Sequence, residues 1–117
     1  MQIKTKTSVG TIRVDFDVIA KIAGITAAES YGVVGMAAKN IKDGIWHLLK
    51  RESIGKGVII HDHQDHINID MHIIVEYGTN IAAISESLID SVKYKVEEFA
   101  EVKVEKVNVY VDGIRTN

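Results

Sequence analysis

The chain has 117 residues, a formal net charge of -2, and neither cysteine nor proline. That length fits one domain, able to bury roughly two thirds of its unfolded surface. The charge balance argues against a dedicated nucleic-acid binder, and the missing cysteines exclude a disulfide framework, a thiolate nucleophile and a Cys-zinc site.

The opening MQIKTKTSVG lacks the apolar core of a secretion signal, and the longest aliphatic runs, Val58 to Ile60 and Ile73 to Val75, are far short of a membrane span. A cytoplasmic protein is expected, with any membrane association peripheral or through a partner. Thr11 to Val14 reads as a short strand or extended lead-in. Asp15 is placed to cap a helix in which Val18, Ile19, Ile22 and Ala23 share a face and which runs to about residue 29. Tyr31 to Ala37 is short, apolar and punctuated by Gly32 and Gly35, so it is predicted to be a strand packed closely on a neighbour. Asn40 can cap a second helix with Ile41, Ile45 and Leu48 as its stripe, weakened by Gly44. A hairpin follows: Gly57 to His61, a polar loop from Asp62 to Asp65, and a long strand from His66. A four-residue loop would set His61 opposite His66 and Ile60 opposite Ile67.

The most informative stretch is Ile67 to Val111. Ile67, Ile69, Met71, Ile73 and Val75 alternate with Asn68, Asp70, His72, Ile74 and Glu76, the period of a strand with one buried face. Gly78 makes a turn, and Thr79 or Asn80 caps a long helix. Its predicted stripe is Ile81, Ile84, Leu88, Val92, Val96 and Phe99. Val107, Val109 and Val111 alternate again and end at Asp112-Gly113. This is a β-α-β crossover. The whole predicts a single two-layer α+β domain over residues 1–117. It has a mixed sheet of about four strands and helices packed mainly on one face.

His61, His63 and His66 cluster with Asp62 and Asp65 at the hairpin tip and are the candidate metal ligands. The competing reading is a polar hairpin tip. His72 lies about 20 Å along the strand from His66 and cannot join them. Gly32-Val33-Val34-Gly35 spells G-x-x-G, but its middle pair is valine and its surroundings read as strand, so RNA binding is not expected. No phosphate loop, nucleophile elbow or paired carboxylates appear, and neither an enzyme nor a cofactor is predicted. Lys39, Lys42, Lys50, Arg51 and Lys56 surround Trp46 as a possible contact surface, or as a solvated helix face. The 57–61 strand, if it lies at a sheet edge, exposes its Val58-Ile59-Ile60 run with little protection beyond Lys56. The expected association surface is therefore Ile59 with Trp46, Lys42, Lys50 and Arg51.

Several segments in order carry a family likeness: Gly10-Thr11-Ile12, Asp17-Val18-Ile19, Ile22-Ala23, YGVVGMA at 31–37, Lys56-Gly57-Val58, INIDMHIIVEYGTNI at 67–81, Val92-Lys93 and VNVYVDGI at 107–114. With them the chain resembles the alkaline-shock, or envelope-stress-response, protein family of Gram-positive bacteria, in particular its short YloU-like members. The segment 39–53 and the His-rich tip lie outside the shared pattern. The resemblance implies a cytoplasmic, self-associating protein. It also implies recruitment to the membrane by a membrane-anchored partner, and it offers no catalytic residues to carry over. The function expected is a non-enzymatic scaffold or interaction module. The alternative is a metal- or small-ligand-binding protein using His61, His63 and His66.

Overall fold

A computed structural model describes residues 2–7, 10–39, 42 and 44–116. A hairpin of β1 (Gln2–Thr7) and β2 (Gly10–Asp15) forms its own two-stranded sheet. It leads into α1 (Phe16–Ala28), whose first turn is closed by Asp15 Oδ1 accepting from the Asp17 N–H at 2.8 Å. The main sheet contains β3 (Val33–Lys39), β4 (Trp46–Leu48), β5 (Val58–Asp62), β6 (Ile67–Glu76) and β7 (Val104–Arg115), with α2 (Ile81–Ala100) crossing between the last two strands.

The long strand β6 is the centre. β7 runs parallel to it along its whole length. The other edge of β6 is shared by two antiparallel strands: β5 pairs with Ile67 to Met71, and β3 pairs with Ile73 to Val75. The sheet is therefore mixed and the domain two-layer α+β, with α1 and α2 together on one face. Period-two burial in β6 is complete on that face: Ile67, Ile69, Met71, Ile73 and Val75 have no exposed surface. They meet Ile19 and Ala23 of α1 and Leu88, Val92 and Val96 of α2 in one core.

Four local expectations are corrected. Trp46 to Leu48 form a strand paired with Ala37 to Lys39, and residues 51–57 form a 3-10 turn. No helix spans them, and the expected cap Asn40 and stripe residue Ile41 lie outside the described residues. The reason lies in two neighbours. Gly44 turns the chain at φ 68, and the end of β3 runs past its pairing with β6, so it needs a partner. In α1 the buried face is Phe16, Ile19, Ala20, Ala23, Gly24 and Ala27, with Val18 exposed. In α2, Ala100 takes the place expected of Phe99, which is exposed.

The fourth correction is the hairpin register. Asp62 pairs with Ile67, His61 with Asn68 and Ile60 with Ile69, while the His63 N–H donates to the His66 carbonyl at 3.0 Å. The loop is two residues, Gln64 and Asp65. It is closed by an Asp65 N–H to His63 carbonyl bond of 2.9 Å around Gln64 at φ 72, and by Asp62 Oδ1 accepting from the Gln64 N–H at 2.8 Å. The positive-φ γ-turn is rare, so counting loop-forming residues in the sequence favours the longer loop.

Candidate functional site

Alternation leaves the sheet with a second face on which no helix packs among the described residues. β6 contributes Asn68, Asp70, His72 and Ile74 to it. β5 adds Ile59 and His61 opposite Asp70 and Asn68, and β7 adds Lys106, Asn108 and Tyr110 opposite Asn68, Asp70 and His72. The sides of this face differ in chemistry.

Near its middle lies an aromatic stack. The His72 ring lies between Trp46, at 4.6 Å between centroids, and Tyr110, at 5.0 Å. Its Nδ1 contacts Asp112 Oδ2 at 2.6 Å, and both side chains are only 16% exposed. An ionised carboxylate only accepts, so the Nδ1–H is the donor. Asp112 reaches this position through a β-bulge. Ile73 pairs with Val111 but Ile74 with Gly113, so Asp112 is the extra residue, and bulges re-aim side chains in this way. A second bulge does the same at the other end: Ile67 pairs with Val104 and Asn68 with Lys106, leaving Glu105, whose carboxylate lies 3.4 Å from His66 Nε2.

The hairpin side is polar. Asp70 accepts from the Asn108 amide at 2.9 Å through one oxygen and contacts His61 Nε2 at 2.9 Å through the other. Burial pushes its pKa up, but the hydrogen bonds from Asn108 and His61 outweigh this and hold it below the usual value. Asp65 is held low mainly by its 2.6 Å hydrogen bond with His66. A depressed carboxylate stabilises the fold fully above its unfolded pKa and loses that contribution as pH falls through the lower folded value. Asp70 therefore adds acid sensitivity that begins near pH ~4 and extends below it. The Asp70→Asn variant is expected to show a flatter loss of urea midpoint between about pH 5 and 2. An unchanged slope would remove Asp70 as a cause.

The three candidate metal ligands are placed but not gathered. His61 faces Asp70, whereas His63 and His66 stack on one another at 4.9 Å between centroids, and His63 meets the Asn68 amide at 3.3 Å. Among the described residues no group of three His, Asp or Glu side chains is arranged to hold a metal ion. Of the expected contact residues, Ile59 is 47% exposed, and Trp46 is half-buried on the same face. Lys42 and Lys50 are exposed, and the Arg51 side chain is outside the described residues. Sequence reasoning missed Tyr110 and Asp112. The parity of Val107, Val109 and Val111 already assigned Tyr110 to the opposite face; nothing local announced the bulge.

Residues 4–116 match the family model of alkaline-shock protein 23, a family of cell envelope-related function. The chain belongs to this family. It is 42% identical over 116 residues to the uncharacterized protein YloU of Bacillus subtilis (strain 168), covering 98% of this chain and 97% of that one. It is 37% identical to the uncharacterized protein Spy1614 of Streptococcus pyogenes serotype M6, covering 98% and 96%. Two solved MamM-CTD variants share the fold at TM-scores of 0.52 and 0.50, with 16% and 17% identity. They cover 87% and 86% of this chain and 100% and 96% of their own. The family expectation from the sequence is thus met, and no helix among the described residues is long and apolar enough to cross a membrane.

Proposed function

We propose that this alkaline-shock family chain is a non-enzymatic interaction module of the cell envelope. In this reading it self-associates and is held at the membrane by a membrane-anchored protein. The observation that carries the reading is that second sheet face. Trp46, Tyr110, Leu48 and Ile59 lie there, exposed or half-exposed, among polar groups that already bond one another. Large aromatic and aliphatic surface framed by satisfied polar groups is the composition of a protein contact. The envelope-related family favours a protein anchor, and among the described residues no helix is long and apolar enough to span a membrane.

The His72–Asp112 pair has the geometry of an oriented base. However, among the described residues the rows of side chains on this face include no Ser, Thr or Cys whose proton such a base could take, which supports binding over catalysis. Membrane fractionation of native cells tests the reading. The chain should sediment with membranes, be released by alkaline wash, and fail to bind protein-free vesicles of the same lipids. The Ile59→Lys/Tyr110→Ala double variant should move to the soluble fraction. Equal partition of parent and variant, or binding to bare vesicles, would sink the proposed anchor.

A further inference from the structure

We infer that two copies of the chain join edge to edge along β7, antiparallel across a two-fold axis at Val109, so that their sheets become one. This rests on the self-association reading and gives it a surface.

β7 is 12 residues long, and among the described residues its only strand partner is β6. Its outer edge is therefore a row of backbone donors and acceptors without a ladder. Proteins usually blunt such edges with charge, proline, bulges or short length. Here the two bulges, at Glu105 and Asp112, lie toward the ends. Between them, after Lys106, the run Val107-Asn108-Val109-Tyr110-Val111 is uncharged, free of proline and rich in strand-forming residues. The helix side of this stretch is also incompletely covered. Val104 and Val107 are buried, but Val109 and Val111 in the same row are only half-buried.

A second copy of the same stretch satisfies each of these features. Antiparallel pairing about Val109 sets Val107 against Val111 and Asn108 against Tyr110 of the other copy. Valine then meets valine on the helix side. Closed two-fold pairing also uses up the edge, which limits open-ended growth. The β5 edge, expected from sequence, is a weaker candidate because it is only five residues long.

The test is sedimentation equilibrium on the untagged full chain, with circular dichroism to check folding. The parent should be at least dimeric. Val109→Lys puts two ammonium groups at the axis and should raise the dimer Kd by about tenfold or more, whereas Ile59→Lys should not. Because the chain has no cysteine, oxidation offers a second readout that needs no destabilising charge. Val109→Cys should cross-link into dimers and Ile59→Cys should not. An oligomeric parent that ignores Val109→Lys, or that cross-links only through Ile59→Cys, overturns the β7 seam and leaves self-association standing. A parent that stays monomeric at about 0.1 mM overturns both.

Discussion

Ile69→Ala is expected to cost about 2–5 kcal/mol, a large share of the roughly 5–15 kcal/mol that holds a domain of this kind together. Ile69 sits at the middle of β6 with no exposed surface, and it pairs with Ile60 on one side and Val107 on the other. Three strands and a helix layer converge there, so the space left by the lost atoms cannot collapse without moving all of them. Ile59→Ala is the matched control. Ile59 neighbours Ile60 in β5 but projects to the open face and is 47% exposed, so its truncation should stay within about 0.5 kcal/mol. Urea denaturation of the two variants measures the contrast. Equal losses would mean that the open face is covered even in the isolated chain.

Gly32→Ala is the second large effect. Gly32 holds φ +83 at the turn before β3, where an L side chain costs about 1–2 kcal/mol. A Cβ there would also lie 2.4 Å from Ile84 Cδ1 and 3.0 Å from Ile84 Cγ1. Ile84 is buried in α2, so it can yield only by shifting the helix or leaving its rotamer, about 1–3 kcal/mol more. A total near 2–5 kcal/mol is expected. Gly35→Ala is milder, because its Cβ would meet Leu48 Cδ1 at 2.9 Å and Leu48 is 45% exposed at the end of a flexible side chain. A drop of about 1 kcal/mol or less is expected there. If Gly35→Ala proves the more damaging of the two, β4 is more firmly fixed than its three residues suggest.

The two glycines also show how far the sequence could be read. Gly32 and Gly35 were legible as points of close approach, but not which neighbour each admits. One makes room for α2 and the other for β4, where the residue spacing predicts a helix. The same division runs through the candidate site. Alternation in β6 assigned Asn68, Asp70 and His72 to one face. The histidines of the tip looked like one cluster because they are adjacent in the chain, and the two-residue loop distributed them between Asp70 and a mutual stack.

The sequence by itself determined the buried face of β6, the cap at Asp15, the crossover through α2 and the family. Each of these depends on residue spacing within one segment, or on many weak matches in order. The tertiary structure decided that Trp46 is in a strand, that β3 and β5 share one edge of β6, and that Asp112 reaches His72, 40 residues away in the chain. Such contacts depend on register, and register was set by a tight turn at Gln64 and an extra residue in β7. A shift of one residue in either place changes which side chains meet without altering the local hydrophobic period.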